Sequence, residues 1–430
     1  MENGHGRRPR AFAAFEHRDF RLLFVSALAS GMGDQIQTVA NLWQVYSLTG
    51  SALQLGLTGV ARATAIILFS LAGGVIADRL DRRKIIIVGQ IGTGVLALAL
   101  AVLSATGLVE VWQIYVMTFF GSALSAMSNP SRRALVATVV PRRDLMNALA
   151  INMSVNKLDS IVAPSIGGIL IASVGLPITY LVNGTAHVVT AAALLFVTYA
   201  QITIPVTESP LRSLLDGLAF VRFRSILLVL LATDAAAMLF GGYQVVLPII
   251  SDRYGLGAVG YGLLQSAPGV GAVAGALLIM SLGDIRYKGY LIVGAILGYC
   301  CCLAGLALAP SFAVALLVAA GLGFTNALQA TPRNAVIQLI TPDELRGRVT
   351  SFQHMLTGGM PALGLGLMGA ATGLLGPAAL VLGAVLCAAI NIGVLIGRKD
   401  LRDPDLGAVP EAPLDMPLTH VVREPATQRS

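Results

Sequence analysis

Charged residues are scarce in this chain. Only 12% of its 430 residues are Asp, Glu, Lys or Arg, whereas soluble globular domains carry about 25%. Hydrophobic residues make up 56% of the sequence, and the mean hydropathy is +0.78. This shortage of charge excludes an ordinary soluble domain, and the sequence therefore indicates a membrane protein.

Cysteine and histidine are also rare, with 4 and 5 residues respectively. Three of the cysteines are adjacent, at Cys300, Cys301 and Cys302, and the histidines His187 and His354 are isolated in the sequence. Neither group has the spacing of a metal site, and no Ser/His/Asp set or phosphate-binding loop is recognisable. We therefore expect these residues to pack or to form hydrogen bonds, and we expect no cofactor, no metal and no enzyme.

Long stretches without any Asp, Glu, Lys or Arg show how the chain is divided. Three of them span residues 160–207, 289–332 and 349–397, with lengths of 48, 44 and 49 residues. Each is about twice the ~20 residues of a membrane-spanning helix, and each has a Gly- or Pro-containing turn signal near its middle. They predict three helical hairpins. Six single spans complete an all-α polytopic protein of twelve transmembrane helices, near residues 21–48, 52–77, 85–107, 111–131, 225–250 and 258–282.

The basic residues predict the orientation. With twelve spans, 26 of the 29 Lys and Arg residues fall on the side of the two termini, and basic loops face the cytoplasm. The sequence thus predicts a multi-pass protein of the plasma membrane with both termini in the cytoplasm. Because the basic residues are spread over short loops, the net charge of +7 does not indicate a nucleic-acid partner.

The two halves of the chain contain an internal repeat. "NPSRRALVATVVP" at 129–141 resembles "TPRNAVIQLITP" at 331–342, at offsets of 201 to 202 residues. Both copies lie on the same side of the membrane, which predicts two parallel six-helix bundles, as in transporters with two rocking halves. We expect a cytoplasmic tail over 1–20, bundles over 21–200 and 225–397, a cytoplasmic linker over 201–224 and a disordered cytoplasmic tail over 398–430.

Several motifs resemble one transporter family. "GVIADRLDRRKII" at 74–86 resembles the loop motif of the major facilitator superfamily, with Asp81 where that motif has Gly. "FEHRDFRLLF" at 15–24, "GDQIQTVANLWQVYSLTGS" at 33–51 and "TPDELRGRVTSF" at 341–352 are similar to its enterobactin-exporter-like branch. "APSIGG" at 163–168 resembles the antiporter motif of exporters, with Ala163 replacing its first Gly.

This resemblance implies roles for two groups of residues. The loop motif implies a conformational latch at the cytoplasmic ends of the helices, in which Asp78 caps the next helix or pairs with Arg82. The antiporter motif implies a kinked helix that packs tightly against a neighbour. The residues concerned are Gly74, Asp78, Arg82 and Arg83 for the latch, and Pro164, Gly167 and Gly168 for the antiporter-like motif.

Charges inside the predicted spans are the candidates for transport. An ionisable residue at the bilayer centre costs about 2.5 to 3.5 kcal/mol on the insertion scale, so such residues usually face a wet cavity. Asp34 and Arg62 lie at similar depth, ~21 and ~16 Å from the outer ends of their helices. Asp34 either titrates or forms a static pair with Arg62, and both hypotheses stay open here. The coupling and cavity candidates are Asp34, Arg62, Asp159 and Asp234, and with Lys157 their charges sum to −1, which slightly favours a cation or a proton.

The leading hypothesis is a secondary active transporter that exports small amphipathic compounds, a drug or a siderophore, in exchange for protons. Its expected partners are the substrate, protons and the bilayer, and we expect a monomer. Uptake of a metabolite or flipping of a lysolipid is the alternative within transport. A membrane enzyme or receptor is the alternative outside it. Four aromatic residues could stack on the substrate or anchor the helices at the interface: Trp43, Tyr46, Tyr115 and Tyr243.

Overall fold

The computed structural model describes residues 13–198, 218–222, 224–283 and 286–402. The first part of the predicted N-terminal tail, most of the predicted linker over 201–224 and the predicted tail beyond 402 therefore lie outside the described residues. A 3-10 helix, Lys399–Arg402, follows the last long helix, and its Leu401 is buried.

Long α-helices account for nearly all of the described chain. In order they are α1 Arg18–Thr49, α2 Ala52–Arg79, α3 Arg82–Thr106, α4 Val111–Val139, α5 Leu145–Leu195, α6 Ser225–Phe240, α7 Leu247–Arg253, α8 Gly257–Leu282, α9 Lys288–Ala307, α10 Phe312–Ile340, α11 Asp343–Leu375 and α12 Ala378–Gly397.

Helix α5 is a hairpin of two spans. Its backbone leaves the helical conformation at Gly175, where φ is 81°, a value in the left-handed region that glycine adopts without strain. Along the first limb, Asp159 lies beside Gly31, and Gly167 beside Ile36. Along the second limb, contacts with α1 run in the reverse order, from Tyr180 with Gln44 to Thr190 with Ser26. The predicted turn at 174–177 is therefore where the chain reverses.

Twelve spans follow from these helices. Within the described residues, nine helices are long and apolar enough to cross a membrane, and they include α5 as one helix and 225–253 as one interrupted helix. The second limb of α5 adds a tenth. The polar helices α1, which carries Asp34, Gln37 and Gln44, and α4 complete the twelve. The prediction of an all-α protein with twelve spans is confirmed.

Two faces of the molecule are distinguished below. The face at which α1 begins and α12 ends is called the terminal face, and the other is called the opposite face. The halves cross tightly at two places between these faces. The first limb of α5 packs on α8, where a Cβ at Gly168 would lie 2.5 Å from the Ala258 oxygen, and α2 packs on α11, where a Cβ at Gly369 would overlap Gly56 Cα. Only glycine permits such close backbone approach.

Aromatic residues join the two halves at the opposite face. The rings of Trp43 on α1 and Tyr261 on α8 stack with centroids 5.9 Å apart. The Tyr46 hydroxyl donates to Asp252 Oδ2 on α7, at 3.1 Å. These contacts bring the halves together on this side of the molecule. Open space between the halves therefore lies nearer the terminal face.

Candidate functional site

A cavity of about 1020 Å³ lies between the two halves. Its lining comes from α1 to α4, the second limb of α5 and α11. At its inner end it is lined by Asn41 and Thr118, and it reaches the terminal face at Arg133 and Gly347, which are both exposed. The cavity is therefore accessible from the terminal face, while the aromatic contacts join the halves at the opposite face.

The charged residues of the described lining are mostly arginines. Four arginines and one carboxylate line the cavity, so the lining carries a net charge of +3 (4 − 1) with histidine neutral: Arg62, Arg132, Arg133, Arg348 and Asp34. Three of the five charges expected from the sequence, Lys157, Asp159 and Asp234, are not part of this lining. The sequence-based sum of −1, with its preference for a cation, was therefore wrong for this cavity.

Asp34 extends into the cavity from α1. Its side chain is 48% exposed, and its Oδ1 lies 3.5 Å from His187 Nε2. Arg62 also lines the cavity and interacts with Asp34 through its charge. Among the described residues, however, no ion pair joins Arg62 to Asp34. The two residues predicted to pair thus share the cavity without direct contact.

His187 is the residue that the sequence analysis undervalued. It lies on the second limb of α5, only 1% of it is exposed, and it lines the cavity beside Asp34. Its Nδ1 lies 2.6 Å from Gln90 Oε1 on α3. In the sequence His187 lies 97 residues from Gln90 and 153 from Asp34, so only the fold brings these residues together. The side chain of His354 lies outside the described part of the structure.

Asp159 is buried without a hydrogen-bond partner. It lies on the first limb of α5, is 3% exposed and packs directly on Gly31 of α1. Neither carboxylate oxygen has a hydrogen-bond partner among the described residues. Arg132 and Asp34 are the charged residues that act on it, and Arg132 itself donates to Ser30 Oγ at 2.8 Å. Lys157 is exposed and lies off the cavity lining.

Asp234 forms a buried ion pair in the C-terminal half. Its partner is Arg333 on α10, and both side chains are at least 96% buried. Gln329 donates to Asp234 Oδ1 at 3.0 Å and accepts from Arg333 at 3.1 Å. Its position directly after the charge-free run over 289–332 suggests that Arg333 lies in a loop, but α10 continues to Ile340. The described residues contain no group of three or more His, Cys, Asp or Glu side chains that could hold a metal.

The latch residues are only partly described. The side chains of Gly74 and Asp78 lie outside the described part of the structure. The cap of α3 is Asp81, whose side chain accepts from the Arg83 backbone N–H at 2.9 Å, and the two roles expected for Asp78 stay predictions. Asp81 is a good capping residue because its short carboxylate reaches the free N–H groups of the first turn. Arg82 is half-buried, and the Arg83 guanidinium donates to the Leu195 carbonyl at the end of α5.

The three residues of the antiporter-like motif lie where α5 meets its neighbours. Gly168 faces α8, and a Cβ on Gly262 of α8 would lie 2.5 Å from the Pro164 oxygen. Gly167 faces α1, where a Cβ would contact Ile36 and Val39 at 3.5 Å. The motif therefore places backbone against backbone at a crossing between the two halves.

In the described part of the chain, twelve membrane-length helices in two halves surround a cavity, an arrangement typical of transporters with two rocking halves. The family model described as transmembrane secretion effector matches residues 9–424. The chain therefore belongs to the transmembrane secretion effector family of the major facilitator superfamily. This match confirms the predicted family and the predicted class of export transporter. The alternative of a membrane enzyme is therefore excluded.

The chain is also similar to named relatives and to solved transporters. It is 28% identical over 366 residues to the enterobactin exporter EntS of Shigella flexneri, with 84% of this chain and 87% of the relative covered. For the EntS of Escherichia coli O81 the identity is 26% with the same coverage. The nucleoside transporter NupG matches with a TM-score of 0.68 at 11% identity, covering 88% of this chain and 98% of that one. A bacterial homologue of the human lysosomal transporter Spinster matches with a TM-score of 0.66 at 14% identity, covering 88% of this chain and 94% of that one. These structures share the fold.

Proposed function

We propose that this protein exports small amphipathic compounds in exchange for protons by alternating access across the plasma membrane. The observation that carries the proposal is the cavity, which reaches the terminal face and contains the half-exposed carboxylate of Asp34. An ionisable group inside a membrane is energetically unfavourable, so a carboxylate at such a site usually serves transport. The cavity therefore holds both the substrate and a group that binds a proton.

The surroundings of Asp34 and Asp159 support proton coupling. The Asp34 side chain is 48% exposed, so it can exchange a proton with solvent that enters the cavity. Asp159 is buried without a hydrogen-bond partner among the described residues, and a buried carboxyl group in that situation is neutral rather than charged. We therefore propose Asp159 as a second proton-binding group, and Asp34 as the site at which protons are exchanged.

The arginine-rich lining supports a substrate with acidic groups. Arginine binds carboxylates and related anions through paired N–H donors, and Arg62 and Arg132 both line the cavity. Its volume of about 1020 Å³ is at the upper end of the ~300 to 1,000 Å³ of small-molecule sites. The relatives named as enterobactin exporters favour a siderophore over a cationic drug.

The distribution of basic residues supports the proposed orientation. The sequence predicts 26 of the 29 Lys and Arg residues on the side of the two termini, which supports a cytoplasmic terminal face. In the conformation described here the cavity would load from the cytoplasm. We propose bundles over 21–200 and 225–397 joined by the linker over 201–224, with cytoplasmic tails over 1–20 and 398–430. The monomer is the functional unit because one chain supplies the whole cavity.

We also propose that Gly74, Asp78, Arg82 and Arg83 act as a latch on the cytoplasmic side. The charge pattern of this loop supports it, because a loop that only set the orientation would need the arginines but not the acidic residues. Asp78→Asn should insert normally but transport slowly. Wild-type turnover would show that the loop serves orientation alone.

Gradient-driven transport tests the proposed function. In everted vesicles with an acidic interior, the wild-type exporter should accumulate a catecholate siderophore in the vesicle lumen. A transporter that works in the uptake direction would instead move the siderophore out of the lumen. Asp34→Asn should abolish this accumulation and still bind the siderophore in detergent, since no ion pair to Arg62 is broken. Glu110→Gln, at the exposed cap of α4, is the matched control and should transport normally. Gradient-driven accumulation by Asp34→Asn would refute the proton-coupled mechanism.

A further inference from the structure

We propose that Asp34 and His187 form a single proton-binding unit that holds one proton between Asp34 Oδ1 and His187 Nε2. The inference rests on the proposed function, because it specifies how the coupling proton is bound. It extends that function by assigning a role to a histidine whose isolation in the sequence suggested only packing.

The hydrogen bonds of His187 lead to this conclusion. Its Nδ1 faces Gln90 Oε1 at 2.6 Å, and an amide oxygen can only accept, so Nδ1 carries the hydrogen. In a neutral imidazole the other nitrogen, Nε2, is then an acceptor. That nitrogen is buried without a hydrogen-bond partner among the described residues, and Asp34 Oδ1 lies 3.5 Å from it. Two acceptors face each other unless a proton lies between them.

The charges around the pair limit it to one proton. The second limb of α5 carries His187, its first limb carries the buried Asp159, α2 carries Arg62 and α4 carries Arg132. The α3 helix contributes Gln90, which has no charge. A second proton would leave a cationic imidazole buried near Arg132, whose charge already acts on His187. Like charges disfavour that state, so the pair alternates between one proton and none.

The two residues differ in their exposure to the cavity. Asp34 is 48% exposed to the cavity, whereas the ring of His187 is 1% exposed. Both lie in the N-terminal half, so a rocking motion of the halves does not separate them. The proton therefore enters and leaves through the Asp34 carboxylate, from whichever side of the membrane the cavity faces. His187 is a positioning residue that raises the affinity of this site for the proton.

The pH dependence of substrate binding tests the inference. His187→Gln places at this position an amide that can donate to ionised Asp34, so the midpoint of pH-dependent siderophore binding in detergent should move about one unit lower, a tenfold loss of proton affinity. Gln90→Leu frees Nδ1, which lets the imidazole adopt the tautomer that donates from Nε2, and should shift the midpoint in the same direction. If His187→Gln does not fold, the Gln90→Leu variant still tests the inference.

His17→Gln is the matched control. His17 also pairs with an aspartate, Asp144, at 3.0 Å, but it lies outside the cavity lining, and its loss should leave the midpoint unchanged. A midpoint that is unchanged or higher in both His187→Gln and Gln90→Leu would overturn the inference. The proposed function would still stand in that case, because it fails only if Asp34→Asn retains gradient-driven export.

Discussion

Two buried aspartates, Asp234 and Asp159, have different surroundings in this protein. Asp234 has Arg333 and Gln329 as direct partners, whereas Asp159 has no hydrogen-bond partner among the described residues. A paired carboxylate can remain ionised in a low-dielectric interior, but an unpaired one is stable there only when it is protonated. We therefore assign a structural role to Asp234 and keep Asp159 with the proton pathway.

The first prediction concerns the pair in the C-terminal half. Asp234→Asn should destabilise the protein by about 3 to 5 kcal/mol, because it leaves the Arg333 charge buried without its partner. The double variant Asp234→Asn with Arg333→Gln should recover most of this loss, since no charge is then buried. Chemical unfolding in mild detergent measures both. A double variant as unstable as Asp234→Asn would show that the pair is not the cause.

The second prediction concerns pH and the N-terminal segment. The hydrogen bond from His17 lowers the pKa of Asp144 below its ordinary value. A lowered pKa stabilises the folded state above the unfolded pKa of about 3.9, and the effect disappears as the pH falls through the folded pKa. The Ala14 N–H, which donates to Asn147 Oδ1 at 3.0 Å, should therefore lose hydrogen-exchange protection below about pH 4. Asp144→Asn should lose it already at neutral pH, and equal protection in both proteins would contradict this.

The sequence predicted some of the charges that lie within the helices but not their partners. Asp34 and Arg62 were recognised because each interrupts an apolar run, and both line the cavity. His187 and Arg333 were missed for two reasons. An isolated histidine gives no sign of partners 97 and 153 residues away, and Arg333 looked like a loop residue because hydropathy does not show that α10 continues to Ile340.

The helices were easier to predict than their packing. Charge-free runs twice the length of a span, each with a Gly or Pro near the middle, defined hairpins such as α5, whose reversal at Gly175 lies in the predicted turn. Most of these helices are apolar on all sides, so no amphipathic pattern indicates which side faces a neighbour. The crossing of α5 on α8 was therefore visible only as a family-like motif.

The third prediction concerns this crossing. A Cβ at Gly168 would lie 2.5 Å from the Ala258 oxygen, so Gly168→Ala should push α5 and α8 apart. Overpacking typically costs about 1 to 3 kcal/mol, which is enough to shift the balance of conformations about tenfold. The thiol of Tyr46→Cys, in a protein without the four native cysteines, should then react faster with a maleimide at the opposite face. Gly294→Ala is the control because a Cβ there meets no atom within 4 Å. Equal rates in both variants would contradict the prediction.

At the scale of the whole molecule, the halves meet on one side of a central cavity and leave it accessible from the other. The stacked rings of Trp43 and Tyr261 and the hydrogen bond from Tyr46 to Asp252 join α1 to α7 and α8. The exposed lining residues at the terminal face mark the accessible side. Transport requires that these contacts break while contacts form at the terminal face.

The last prediction tests this motion and the orientation together. In a protein without native cysteines, Tyr46→Cys and Asp252→Cys are joined in intact cells by a short, reducible thiol cross-linker that does not cross membranes. Export should stop, because the two halves can no longer separate at the opposite face, and it should resume after reduction. The same reagent on Gln54→Cys with Tyr115→Cys is the control. These residues are hydrogen-bonded within the N-terminal half, so that cross-link should leave export unchanged. Continued export by the cross-linked Tyr46 and Asp252 variant would exclude opening at this face. Failure of the impermeant reagent to reach the pair from outside would exclude a cytoplasmic terminal face.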